Sequence, residues 1–277
     1  MSDRPLRLGI SPCPNDTFTF HGLLERTIDL RGLRFEVALA DVQELNERTA
    51  AGDFDFSKVS FNAALELGDR FGVLAVGAAM GLGVGPILVA ADPNAKLAPS
   101  SRVVCPGAAT TGTMLFRAFH PEVEDVTQRV FSEIAGSLHR GEADFGVLIH
   151  EGRFTLRENG LALVEDLGER WQSRFGLPLP LGGIVGTLDL PRPVHELMTA
   201  VIRDSLRYAR THRYEALRTV RRHAQELDEA VIWPYVDLYV NDFTWDIGET
   251  GAAALDALAT LSAEVSAARR ATLEVLA

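Results

Sequence analysis

Apolar runs of four to seven residues alternate along the chain with stretches of helical period. Residues 6–11 form a short strand candidate that stops at Pro12-Cys13-Pro14-Asn15-Asp16. A helical pattern follows over 17–26, with Asn15 or Asp16 as its expected N-cap. Residues 33–39 and 54–59 read as further strands, each followed or preceded by an amphipathic segment, over 41–51 and 61–67. Residues 71–91 carry no charge over 21 positions, about the length of a membrane span. Glycines at 72, 77, 81, 83 and 85, with Pro86, break that stretch. It therefore reads as two short buried strands, 73–76 and 87–91, joined by a glycine-rich turn.

After Asp92-Pro93-Asn94 the pattern restarts. Strands are expected over 102–105, 126–131, 144–149, 161–164 and 183–187, and helices over 113–119 and 134–140. Beyond Pro193 the chain reads as helical almost throughout, with breaks at Trp233-Pro234 and at 246–251. Strands alternating with helices predict parallel α/β sheets. The strands lack a clean in–out alternation, as expected where helices cover both faces. The expected architecture is two α/β lobes, one from residues 1–92 plus 189–277 and the other from 93–188. A ligand would lie between them, at the carboxyl ends of the strands.

Composition narrows the function classes. The 277 residues are 47% apolar and 23% charged, an ordinary globular balance. A net charge of −11 disfavours broad binding to nucleic acid or an anionic membrane. An anionic small molecule would then need its own local set of donors. Two cysteines, Cys13 and Cys105, make no disulfide framework. The polar first residues lead into no secretory h-region, so a cytoplasmic location is expected. The seven histidines lack metal-ligand spacing, and neither HExxH nor GxSxG occurs. Gly81-Leu82-Gly83-Val84-Gly85 lacks the third glycine of a dinucleotide loop, and Pro86 leads into a strand. Seven arginines between Arg203 and Arg222 are interleaved with Asp204 and Glu215, as on a solvated helix face.

Four polar segments stand at predicted strand ends. In Ser11-Pro12-Cys13-Pro14-Asn15-Asp16-Thr17, Asn15 and Asp16 either cap a helix or orient substrate hydroxyls in a cleft. Cys13 reads as a packing residue there. In Ser57-Lys58-Val59-Ser60, Ser60 reads as an N-cap. Lys58, one of two lysines, is either a surface residue or a point charge facing an anion. In Pro106-Gly107-Ala108-Ala109-Thr110-Thr111-Gly112-Thr113, small residues open a helix. Outward backbone N–H groups and three hydroxyls there suit a carboxylate, although a simple threonine cap also fits. Finally, the apolar strand over 144–149 delivers His150. An imidazole near pKa ~6.5 can serve as a base at neutral pH, or can simply be structural. Glu151 beside it either orients the ring or faces solvent.

The segment SPCPNDTF at 11–18 resembles the opening signature of the 1,4-dihydroxy-6-naphthoate synthases of the futalosine route to menaquinone. The likeness continues through SKVS at 57–60, GVGP at 83–86, PGAATT at 106–111, FGVLIHEGRFT at 145–155 and GLPLPLGGI at 176–184. HAQELDEAVIW at 223–233 and YVNDF at 239–243 carry it to the C-terminal part. The resemblance implies a fold like the type II periplasmic solute-binding proteins, with a cleft between two lobes. It implies a lyase that turns cyclic dehypoxanthine futalosine into 1,4-dihydroxy-6-naphthoate with loss of a sugar-derived fragment. His150 matches the family's proton acceptor. The family's substrate contacts fall on Lys58, Val59 and Ser60 and around Thr111, Gly112 and Thr113; Asn15, Asp16 and Thr110 are further candidates from their place in the polar loops. Ser57 stands where a threonine is common, and Ala108-Ala109 replace bulkier polar residues in the anion loop. Neither a metal nor an organic cofactor is implied, and no nucleic-acid partner or membrane insertion. The oligomeric state is left open, with a homodimer as one option. A solute-binding protein of the same fold and the sister enzyme chorismate dehydratase are the alternatives.

Overall fold

The first apolar run becomes β1 (Leu6–Ile10), and the chain then turns through α1 (Pro14–Thr19) and α2 (His21–Leu24) to β2 (Phe35–Leu39). Next come α3 (Val42–Ala50), β3 (Phe56–Ser60), α4 (Phe61–Glu66), β4 (Phe71–Leu74) and β5 (Ala79–Gly81). A second series follows: β6 (Ile87–Ala90), β7 (Val103–Cys105), α5 (Thr111–Phe119), β8 (Val126–Gln128), α6 (Ile134–His139), β9 (Phe145–Leu148), β10 (Ala162–Asp166) and α7 (Leu167–Phe175). The chain then runs through β11 (Leu179–Thr187), α8 (Arg192–Thr211), α9 (Arg213–His223), α10 (Glu229–Tyr239), α11 (Asp242–Trp245) and α12 (Gly248–Ser266) to β12 (Val275–Leu276). This is a computed structural model, describing residues 4–224, 228–266 and 271–276, without the side chain of Glu151. Gln225, Glu226 and Leu227 of the 223–233 segment thus lie outside the described residues, as does the expected role of Glu151.

The strands form two sheets. One has the order β12-β4-β11-β3-β1-β2, with β5 also paired to β11; the other is β10-β6-β9-β7-β8. The fold is thus a mixed α/β architecture of two lobes. The chain enters the second sheet at β6 and returns to the first at β11, so strand membership separates the lobes ahead of Ile87 and ahead of Leu179.

The sheets are not purely parallel, contrary to expectation. β1 pairs in parallel with β2 and β3, but β11 lies antiparallel between β3 and β4. In the second sheet β6 runs antiparallel to both β9 and β10. Each is a strand on which the chain changes lobes, so no crossover helix reverses its direction. The glycine-rich stretch over 71–91 yields three strands rather than two, and no described helix is long and apolar enough to cross a membrane.

Local helix ends also differ from the sequence reading. Cys13, not Asn15 or Asp16, occupies the N-cap of α1, with Pro14 in the first turn. A proline suits that position because its missing N–H would have had no intrahelical acceptor. Pro234 sits inside α10 rather than ending it. The helix α7 and the strand β5 had no counterpart in the sequence reading.

Every residue of β3, β4, β6, β7 and β9 is buried, which explains the unbroken apolar character of the last four, whereas β3 also buries Ser57, Lys58 and Ser60. Leu8, Ile10, Phe56, Leu74 and Ile184 pack the first sheet against Met198, Val201 and Ile202 of α8. Ile87, Val89 and Val104 of the second sheet pack against Ile134 and Leu138 of α6. These layers fix the strand ends whose loops meet between the lobes.

Candidate active site

The carboxyl ends of β1 and β3 face those of β7 and β9 across a cavity with about 670 Å³ of atom-free space, open to solvent. Its wall includes Asn15, Asp16, Lys58, Val59, Ser60, Thr110, Thr111, Gly112 and His150. Nine of the ten residues expected at the site are therefore brought together there; Thr113 is not. Its hydroxyl turns back into the loop, donating to the Gly107 carbonyl at 2.7 Å and to Gln128 Oε1 at 3.3 Å.

The first wall is electrostatic. The Lys58 ammonium donates to Asp16 Oδ1 at 2.6 Å, with the two residues 6% and 3% exposed. Asn15 Nδ2 donates to the same oxygen at 2.9 Å, and Ser11 Oγ donates to Oδ2 at 2.6 Å. Lys58 also reaches the Gly77 carbonyl at 3.4 Å. Asp16 thus receives three donors, which offset the cost of burying its charge. The surface alternative for Lys58 does not hold. A strand interior opposite Ile184 carries it inward, and Gly182 leaves room for its stem. A Cβ at Gly182 would come within 3.2 Å of Lys58 Cε and 2.8 Å of the Val59 carbonyl.

The second wall joins the lobes. Ser60 stands at the N-cap of α4, but its hydroxyl makes no cap. Instead Ser60 Oγ accepts the Thr111 N–H at 2.8 Å and lies 2.9 Å from Thr111 Oγ1. Thr111 Oγ1 also donates to the Leu181 carbonyl at 3.2 Å. Asn46 Oδ1 accepts the Ser60 N–H at 2.9 Å, while its buried Nδ2 has no acceptor.

The loop over 106–113 presents fewer outward amides than its sequence implies. The Thr110 N–H goes to the Gly107 carbonyl and the Thr113 N–H to Thr110 Oγ1, the side-chain cap of α5. With Thr111 N–H held by Ser60, Gly112 contributes a first-turn N–H for which no acceptor occurs among the described residues. The preceding turn needs Gly107, whose φ of +117° is closed to side chains and whose missing Cβ admits Gln43.

His150 lies at the far end of β9, in the first position of a 3₁₀ turn, His150–Arg153. Its backbone has φ of +57°, a left-handed conformation uncommon outside glycine. That turn swings the ring off the strand direction and toward the cavity. Phe131 stacks on the imidazole, with centroids 4.7 Å apart and planes 20° from parallel. Cys13 Sγ lies 2.7 Å from Nδ1. Sequence reading placed Cys13 among packing residues; the structure puts it on the cavity wall. Its place between two prolines at a strand end was the available signal. Tyr235 and Tyr239 of α10 also line the cavity; the sequence singles out neither as a site residue, although Tyr239 opens the YVNDF segment, because their helix returns to the site from far along the chain.

Burial pushes the Cys105 thiol up to about 12, which keeps it a protonated, inert thiol. Among the described residues, no group of three or more His, Cys, Asp or Glu is gathered as for a metal ion.

Residues 6–264 match the model of a family described as menaquinone biosynthesis. The chain is 41% identical over 262 residues to a 1,4-dihydroxy-6-naphthoate synthase of Thermus thermophilus, covering 95% of this chain and 94% of that one. It is 35% identical over 268 residues to the synthase of the same name from Streptomyces coelicolor, with the same coverage of 95% and 94%. Among solved structures, a protein of Archaeoglobus fulgidus superposes with TM-score 0.88 at 29% identity, over 96% of this chain and 99% of that one. The periplasmic aliphatic sulphonate-binding protein of Escherichia coli superposes with TM-score 0.66 at 14% identity, over 98% and 90%. That likeness concerns the fold alone, which is periplasmic-binding-protein-like.

Proposed function

The chain belongs to the menaquinone-biosynthesis family, as an enzyme of that route, and from this premise we propose that it converts cyclic dehypoxanthine futalosine to 1,4-dihydroxy-6-naphthoate. The observation that carries the reading is the placement of His150. Its ring is set into a cavity between two lobes by a left-handed backbone, a Phe131 stack and a Cys13 contact.

In this reading the substrate carboxylate lies against Thr111 and Gly112, with the Gly112 N–H and the Ser60–Thr111 hydroxyls as donors. Asn15 and Asp16 orient the hydroxyls of the sugar-derived part. Asp16, paired with Lys58, acts as an acceptor for those hydroxyls. His150 removes a proton from the sugar-derived carbon framework. The electron pair left behind delocalises as an enolate-like intermediate, and a carbon–carbon bond breaks to release the fragment. Aromatisation of the second ring supplies the driving force, and the reaction is that of a lyase. Holding the acidic C–H against the imidazole is the main task of the polar wall. Contact between the lobes keeps water from the intermediate.

The test is direct. Purified protein is incubated with cyclic dehypoxanthine futalosine, and the naphthoate is sought by mass spectrometry. Its appearance at a rate proportional to enzyme supports the proposal. Binding without turnover overturns it in favour of a solute receptor, and dehydration of chorismate would assign the sister activity.

A further inference from the structure

Cys13 lines the cavity, and the proposed chemistry gives it no step of its own. It is 7% exposed, follows β1 of the first sheet, and stands at the N-cap of α1 without capping it. Its Sγ is 2.7 Å from Nδ1 of His150, which follows β9 of the second sheet. The two residues are 137 positions apart, so tertiary structure alone makes this contact. A neutral imidazole carries its proton on one nitrogen only, and the partner of Nδ1 selects which one. If Sγ accepts from Nδ1–H, the lone pair resides on Nε2, the nitrogen not held by the thiol. If the thiol donates to Nδ1, Nε2 carries the proton and the ring is an acid rather than a base.

We infer that Cys13 is a positioning residue: its sulfur accepts the Nδ1–H of His150 and so leaves Nε2 unprotonated, as the basic atom toward the cavity. The inference rests on His150 being the base of the proposed reaction. Two further features agree with it. Phe131 covers one face of the ring and blocks rotation about the side chain, so the thiol has only to fix the proton. The backbone N–H of Cys13 is held by Ser11 Oγ at 3.3 Å, and that same hydroxyl donates to Asp16. The sulfur is therefore fixed to the electrostatic wall of the cavity. Because the thiol and the imidazole ride on different sheets, the restraint exists only while the lobes are together. A base that acquires its working tautomer on closure is a means of coupling proton abstraction to enclosure of the substrate.

The experiment compares unmodified protein with Cys13→Ala and Cys13→Ser, all with ¹⁵N-labelled histidine, the His150 signals being assigned by their loss in His150→Gln. Ring nitrogen shifts report the tautomer without substrate. The expected result is a protonated Nδ1 in unmodified protein and in Cys13→Ser, and a mixture of tautomers in Cys13→Ala. In turnover, Cys13→Ala should lose about tenfold or more in kcat with KM within about twofold, the weight of one hydrogen bond to a charging group. Cys13→Ser should recover part of that loss, because its oxygen also accepts from Nδ1–H. Equal thermal unfolding of the two variants checks that the fold is kept. A protonated Nε2 in unmodified protein overturns the inference, as does a Cys13→Ala variant with an unchanged tautomer. Should unmodified protein form no naphthoate, the proposed function fails, and the ring shifts still decide the role of Cys13.

Discussion

The hydroxyl of Ser60, at the end of β3, accepts the backbone N–H of Thr111, at the start of α5, and so ties one lobe to the other at 2.8 Å. An N–H that would otherwise face an anion is thereby held by a side chain of the opposite lobe. The bond is buried, and it places both hydroxyls at 2.9 Å from each other on the cavity wall. In the proposed reaction, substrate binding and lobe contact would therefore share the same few atoms.

Replacing Thr111 by valine keeps the shape of the side chain and removes its hydroxyl. Ser60 Oγ and the Leu181 carbonyl each lose a partner. The expected result is a KM raised by about tenfold with little change in kcat, the effect of one lost polar contact of ~1–2 kcal/mol. Steady-state kinetics on the naphthoate-forming reaction checks this. An unchanged KM would remove the threonine from substrate binding.

Replacing His150 by alanine removes the proposed base. A loss of ~10²–10⁴-fold in kcat is expected, with far-ultraviolet circular dichroism unchanged. The left-handed backbone at this position is strained for alanine as well, so stability should change little. Turnover close to that of the unmodified protein would exclude the role.

The Asp16–Lys58 pair is expected to behave as a unit. Both side chains are almost fully buried, so Asp16→Asn or Lys58→Met alone leaves one charge without its counterion. Each single variant should lose about 3–5 kcal/mol of stability. The double variant should recover a large part of that loss, because no net charge stays buried. Urea unfolding of all four proteins reads the coupling. Additive single effects would show that the pair is not coupled.

Stability should fall on mild acidification, below the ordinary histidine value. Burial holds the imidazoles of His21 and His195 below their ordinary value of 6.5. Glu25 and Glu215 oppose this at His21, while His212 and Arg218 add to it; at His195 the Thr187 carbonyl and Glu274 oppose it. The unfolded chain then binds more protons than the folded one below that value, so stability is complete above pH ~6.5 and is lost as pH falls through the folded values. Thermal melts should show Tm dropping from pH 6.5 downward. A His195→Gln variant should flatten that slope relative to its own value at pH 8. A Tm independent of pH from 7.5 to 5 would contradict the assignment.

The sequence by itself determined the short buried strands, the polar loops at their ends and the family to which the chain belongs. Those signals are local: a run such as 145–148 is apolar because helices cover it on both sides, and a proline or glycine acts on its own turn. It also marked Asp16, Ser60, Thr111 and His150 as candidates, since each stands where a strand gives way to a loop. Only the tertiary structure decided what each one touches. Lys58 is buried because Asp16, 42 positions earlier, lies within reach of its ammonium. Thr113 turns from the cavity because the Gly107 carbonyl and Gln128 claim its hydroxyl. Cys13 meets His150 because two sheets bring their strand ends together. Propensity and periodicity act over a few residues, whereas burial and hydrogen-bond partnership are set by whichever chain segments the packed layers place side by side.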